Sequence, residues 1–160
     1  MTLTLTAEHL QAMRSHAERD YPNECCGLLL GTSDSANGAE LVIVQAVNNG
    51  WSVTVAQELD EDPTIPKTRR YWIDPADLFT AMREARKIGL DIIGICHSHT
   101  DHPAIPSECD RRLAWHPYFY IILSVYQGIA QDLRSWQLAA DHQFYEQAIV
   151  LQPSVSIPTL

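Results

Sequence analysis

The stretch His97-Ser-His99-Thr-Asp-His-Pro-Ala-Ile-Pro-Ser107-Glu-Cys-Asp110 gathers metal-ligating groups at the end of an apolar run. On a strand, side chains at i and i+2 leave the same face, so His97 and His99 present two imidazoles to one point while Ser98 points away. Zinc accepts neutral imidazole and carboxylate donors at about 2.0–2.2 Å, and a catalytic site usually keeps three protein ligands and one open position. A carboxylate is needed to complete that set. Ten residues lie between His99 and Asp110, enough for a loop to turn back and begin a helix whose first turn faces the histidines. His97, His99 and Asp110 are therefore the candidate zinc ligands.

Each piece has a plainer reading. A lone His-x-His is more often an accident of surface or core than a metal pair. Ser107-x-x-Asp110 resembles the capping box that opens many helices. The two readings of that segment are compatible, because a helix start fixes where Ser107 and Asp110 point, as a metal site requires.

Same-face histidines at a strand end, followed by Pro-Ser-x-x-Asp, resemble the JAMM (MPN-plus) family of zinc metallopeptidases, whose pattern runs Glu, then His-Ser-His-Pro, then Ser-x-x-Asp. Upstream, Pro22-Asn-Glu-Cys-Cys-Gly-Leu-Leu-Leu-Gly31 is similar to the strand that carries the family's catalytic glutamate. The resemblance implies that Glu24 handles the proton of the attacking water, and that the Ser107 hydroxyl shares the charge of the tetrahedral intermediate with zinc. It also implies a cytidine deaminase-like/MPN architecture of the compact bacterial type. The implied reaction is hydrolysis of a peptide or isopeptide bond, with a ubiquitin-like sulfur-carrier protein ending in Gly-Gly as partner and cysteine as one leaving group. Thr100 stands where the family usually has proline, a departure that bears on loop stiffness and substrate fit rather than on the metal.

Two alternatives stand beside this reading. His97-Ser-His99-Thr-Asp101-His102 also spells the His-x-His-x-Asp-His signature of the metallo-β-lactamase fold, but only 58 residues follow His102 and neither Glu24 nor Ser107-x-x-Asp110 is explained by it. Asp101 and His102 are then expected at the cleft rim. The other alternative is a non-catalytic MPN scaffold, although every expected ligand position is filled.

The elements that must position these residues follow from periodicity and punctuation. Leu3 and Leu5 suggest a short strand. Thr6 is an N-cap for a helix to about Asp20, with Leu10, Met13 and Ala17 on one stripe. Cys25–Gly31 and Leu41–Val47 read as antiparallel strands joined by a loop over 32–39. Residues 48–70 read as a long connection, a candidate flap, in which Val53 and Val55 suggest a short strand. Tyr71–Ile73 has strand character, and Asp74-Pro75 opens a helix that runs to Gly89. Leu90–Ser98, Tyr118–Tyr126, Leu133–Ala139 and Phe144–Leu151 complete the strands, with a short helix from Ser107 to about Trp115. The expected fold is α+β: a mixed, mostly antiparallel central sheet flanked by helices, one domain over residues 1–152 with a tail at 153–160.

Composition narrows the partners. A net charge of -9, from 20 acidic and 11 basic residues, repels polyanions and argues against nucleic acid and anionic membrane. Lys67-Thr-Arg69-Arg70 is the one basic run, read as a solvated loop. No apolar run is long enough for a bilayer and no secretory signal opens the chain, so a cytoplasmic protein is expected. The four cysteines are expected as reduced thiols, and a homodimer is left open.

Overall fold

The computed structural model describes residues 1–154, so residues 155–160, most of the expected tail, lie outside the described residues. The elements run β1 (Thr2–Leu5), α1 (Ala7–Asp20), β2 (Cys26–Asp34), β3 (Gly38–Val47), α2 (Val53–Glu58), α3 (Pro75–Lys87), β4 (Asp91–Thr100), α4 (Glu108–Leu113), β5 (Phe119–Tyr126), β6 (Ile129–Leu138) and β7 (Phe144–Leu151). The strands follow the order β1-β3-β2-β4-β5-β6-β7, and β7 pairs back with β1. The sheet is mixed and mostly antiparallel, as expected, but it closes into a barrel instead of lying between flanking helices. Closure depends on β1, which pairs parallel with β3 on one side and β7 on the other. Such non-local pairing leaves no periodic trace in the sequence. Gly38 permits the approach: its φ is +111, and a Cβ there would sit 2.0 Å from the Thr2 carbonyl oxygen.

All seven strands contribute to the barrel interior, through residues such as Leu3, Leu29, Leu41, Ile93 and Leu123, and α1 adds Met13 and Ala17 to the same core. On the outer face of β2 and β4, α3 buries Ala81 and Ala85 against Leu28, Leu30 and Ile92. Two-sided cover explains why β2 reads as a continuous apolar run rather than an alternation. Among the described residues, no helix is long and apolar enough to cross a membrane.

A bulge sets the direction of the site. Between β2 and β4 the register passes from Leu30↔Ile92 to Leu29↔Gly94, skipping Ile93. Ile92 and Ile95 both pack on the α3 side, while Ile93 and Cys96 face the interior. The skipped residue shifts the alternation by one, so the outward face continues through Ile95 to His97 and His99. Without the shift, both imidazoles would turn into the barrel core.

Three local expectations change. The β2–β3 hairpin is longer than expected, because Thr32, Ser33 and Asp34 stay paired with Glu40, Ala39 and Gly38 although exposed. Backbone pairing carries the ladder past the point where apolar side chains end. Val53 and Val55 belong to a helix capped by Ser52, not a strand. Tyr71–Ile73 joins no ladder; its apolar side chains cover the outer faces of β2 and β4, and the Trp72 carbonyl accepts from Gly50 N–H at 2.8 Å.

Gly94 lies beside Phe119 of β5, and a Cβ at Gly94 would come within 2.2 Å of the Phe119 carbonyl oxygen. Gly94→Ala is expected to cost about 1–3 kcal/mol through displaced backbone, read as a melting temperature several degrees lower. An unchanged melting curve would contradict this packing.

Candidate metal centre

β4 is hydrogen-bonded to β2 up to Cys26↔His97 and to β5 as far as Thr100↔Val125, so the backbone under both histidines is fixed. His97 is fully buried, with Tyr71 stacked on its ring at 4.3 Å between centroids. Ser98 points to the opposite face as expected, where its hydroxyl oxygen accepts from Cys25 N–H at 2.8 Å. His99 Nδ1–H donates to the Pro103 carbonyl at 2.8 Å, which leaves Nε2 of the neutral ring as a bare lone pair directed into the site.

The carboxylate comes from α4, a helix too short to persist alone and held by its cap. Ser107 Oγ accepts from Asp110 N–H at 3.0 Å, and Asp110 Oδ2 accepts from Ser107 N–H at 2.7 Å. This capping box turns the Asp110 carboxylate onto the histidines: Oδ1 lies 3.3 Å from His97 Nε2 and Oδ2 lies 3.2 Å from His99 Nε2. The two Nε2 atoms are 3.1 Å apart. Donors about 2.0 Å from a tetrahedral ion lie roughly 3.3 Å from one another. The triangle therefore has the dimensions of one face of a zinc coordination shell. The His99 lone pair and the carboxylate are both aimed at this point, and His97 Nδ1 is buried without a hydrogen-bond partner, so the triangle is filled either by a proton carried on His97 Nε2 or by a metal cation that takes all three donors.

The titration of these groups reflects the same demand. Burial would raise the Asp110 carboxyl, but the adjacent imidazoles hold it well below the usual carboxylate range. Burial depresses His97. On His99 burial acts in the same sense, but the hydrogen bond and charge of Asp110 outweigh it and the imidazole rises.

Glu24 immediately precedes Cys25 and β2, and is 5% exposed. Burial pushes its carboxyl up to about 8, with Asp110 adding to the rise and His99, Arg70 and Arg69 opposing it. Its backbone is clamped: Glu24 N–H donates to Lys67 O at 2.9 Å, and the Asn49 side-chain amide donates to Glu24 O at 2.9 Å and to Arg70 O at 3.0 Å. Asn49 Oδ1 in turn accepts from the Trp51 and Trp72 amides. Thr100, in the place of the family's proline, donates its hydroxyl to Thr68 O at 2.5 Å, a bond that proline cannot make. Residues 67–70 are thus a strap fastened along the site.

Two cavities meet here. One is walled largely by apolar groups, including Tyr71, Trp72, Leu78, Trp115 and Tyr120, and reaches Asp110. The other is lined by Thr68, His99, Thr100, His102, Ile105 and Ser107. Glu24, Arg69 and Arg70 border both. The structure thus gathers Glu24, His97, His99, Ser107 and Asp110 in one place. Asp101 is not among them: at φ 58 it accepts from Tyr21 OH and Gln127 N–H, each at 2.8 Å, and serves as a turn residue. His102 lines the second cavity but lies outside the donor cluster, so the metallo-β-lactamase signature does not assemble. Sequence reasoning missed Asn49 and Tyr71 as parts of the site, and read the two arginines as solvated. A half-buried amide that joins distant loops carries no sequence signal, whereas the lone basic run in an acidic chain was one.

Residues 6–139 match the family of prokaryotic homologs of the JAB domain. The chain is 30% identical over 127 residues to the desampylase of Haloferax volcanii, across 76% of this chain and 80% of that protein. It is 28% identical over 140 residues to the CysO-cysteine peptidase of Mycobacterium tuberculosis, across 85% of this chain and 82% of that protein. A protein of Desulfitobacterium hafniense with a solution structure matches at a TM-score of 0.74 and 32% identity, covering 95% of this chain and 94% of that one. A JAB1/MPN domain protein from Archaeoglobus fulgidus shares the fold, with a TM-score of 0.53 and 17% identity over 93% of this chain and 98% of that one. The chain belongs to the prokaryotic JAB-domain family, within the JAMM/MPN group that its motif resembles.

Proposed function

We propose that this protein is a zinc-dependent metallopeptidase that hydrolyses the peptide or isopeptide bond after the C-terminal Gly-Gly of a ubiquitin-like sulfur-carrier protein, releasing cysteine where cysteine is the appended residue. The observation that carries this reading is the triangle of His97 Nε2, His99 Nε2 and the Asp110 carboxylate beside the buried Glu24. The names of two relatives, a desampylase and a CysO-cysteine peptidase, support the substrate class.

His97, His99 and Asp110 would hold the ion. Bound zinc supplies Lewis-acid polarisation and brings the pKa of water from 15.7 toward about 7. Glu24 takes one proton from the attacking water as its oxygen adds to the carbonyl carbon. It then delivers that proton to the nitrogen as the C–N bond breaks, leaving a carboxylic acid and an amine. Burial raises this carboxyl to about 8 in the metal-free protein, and a bound cation would draw it back toward neutrality, the range suited to a group that first takes and then gives a proton. Ser107 Oγ already accepts from Asp110 N–H, so its own O–H remains to donate to the developing oxyanion. The cysteines take no part: burial pushes the Cys25 and Cys109 thiols up to about 11, which leaves no thiolate nucleophile at neutral pH.

Glu24→Gln is expected to retain stoichiometric zinc while turnover of a carrier protein extended past Gly-Gly falls by at least about 100-fold. Zinc analysis and product mass spectrometry check this, and a variant with near-normal turnover would remove Glu24 from the mechanism.

The same variant separates burial from chemistry in the metal-free protein. Since the folded carboxyl titrates near 8 and the unfolded one near 4.5, ionisation opposes folding, and stability is lost as pH rises through that window. Metal-free Glu24→Gln should therefore match the wild type at pH 4.5 and exceed it in melting temperature at pH 8. Parallel melting curves across the range would show that Glu24 is not held as described.

A further inference from the structure

The strap presents two cations whose purpose is not explained by folding. Among the described residues neither Arg69 nor Arg70 forms an ion pair; Arg14 and Arg83 form none either, but they sit on the helices α1 and α3, away from both cavities. Arg70 Nε is buried without a hydrogen-bond partner, and among the described residues the one bond from its guanidinium goes to Arg69 O at 2.9 Å. In a chain of net charge -9, many carboxylates were available to neutralise them. Instead, Lys67, Thr68 and Arg70 are each fastened through a backbone carbonyl, to Glu24 N–H, the Thr100 hydroxyl and the Asn49 amide. That fastening holds both arginines on the border between the two cavities, next to Glu24.

We propose that Arg69 and Arg70 receive the α-carboxylate of the departing residue, so that the preferred substrate carries a single residue with a free C-terminal carboxylate after Gly-Gly, rather than an isopeptide-linked lysine. This rests on the peptidase reading above. The leaving nitrogen takes its proton from Glu24 and must lie beside it. In a single departing amino acid, the carboxylate follows that nitrogen within about one residue length, roughly 3.3–3.6 Å. Both arginines line the same two cavities as Glu24, and a guanidinium fork matches a carboxylate in two hydrogen bonds. A lysine ε-amine leads instead into four methylenes, which offer the arginines no anion. Desolvation of Arg70 Nε makes an incoming carboxylate more valuable there than on an open surface.

The test uses a ubiquitin-like sulfur-carrier protein extended by one alanine after Gly-Gly, prepared as the free acid and as the C-terminal amide. The zinc-loaded wild type should cleave the acid with a kcat/KM roughly 10- to 100-fold above that of the amide, the difference residing in KM. In Arg70→Gln, and further in the double variant with Arg69→Gln, the acid-to-amide ratio should collapse toward one. Arg70→Lys, which keeps the charge and loses the fork, should retain part of the preference and guards against simple misfolding. A second readout needs no turnover: Glu24→Gln should bind the acid more tightly than the amide in calorimetry, and should lose that difference when Arg70→Gln is added. Equal handling of acid and amide by the wild type, or a ratio unmoved by the arginine substitutions, would overturn the assignment. Arginine-dependent binding of the acid without any cleavage would uphold the carboxylate site and reject the peptidase reading.

Discussion

Three electron-rich atoms forced together in a water-poor place are the constraint on which this structure depends. His97 Nε2, His99 Nε2 and the Asp110 carboxylate lie 3.1–3.3 Å apart at the end of a barrel strand, and their mutual repulsion is relieved by a shared proton or by a metal cation at their centre. Everything nearby acts to stop them from moving apart. The β4 bulge turns the two rings to one face, the Pro103 carbonyl fixes the protonation of His99, and the capping box with Ser107 prevents the Asp110 carboxylate from rotating into solvent. A shared proton and a metal cation answer the same electrostatic need, so the metal-free site is expected to hold one and exchange it for the other.

The donor set was legible because strand geometry and helix capping are local rules. The i, i+2 spacing placed His97 and His99 together, and Ser107-x-x-Asp110 announced a helix start at the right distance. Both depend on a few consecutive residues. The barrel was not legible, because its closure rests on four-residue β1 meeting β3 and β7 from remote parts of the chain. That the histidines share a face was legible, but that the face is the outer one was not, since the phase shift at Ile93 appears only in the register with β2. Tyr71–Ile73 misled for a related reason: apolar residues that cover a sheet's outer face read like residues within one.

The strap illustrates how a weak sequence signal gains meaning from burial. Asn49 is one amide among polar neighbours in the sequence, yet in the fold it joins Glu24, Arg70, Trp51 and Trp72. Thr100, a departure from the family's proline, adds a bond from β4 to Thr68. These contacts convert a connection that looked free to move into a wall of the site. Its arginines then lower, and the neighbouring Asp110 raises, the tendency of the Glu24 carboxyl to keep its proton, with burial the larger influence. Position and protonation of Glu24 therefore depend on the same short segment.

The central claim is that one divalent ion belongs at the meeting point of His97, His99 and Asp110. Diffraction from crystals grown with zinc, recorded on both sides of the zinc absorption edge, tests it most directly. The account requires a single anomalous peak about 2.0–2.2 Å from both Nε2 atoms and an Asp110 oxygen, with Glu24 nearby and not bonded to the ion. A fully zinc-equilibrated crystal with no peak there, or with the peak held by other residues, would contradict it.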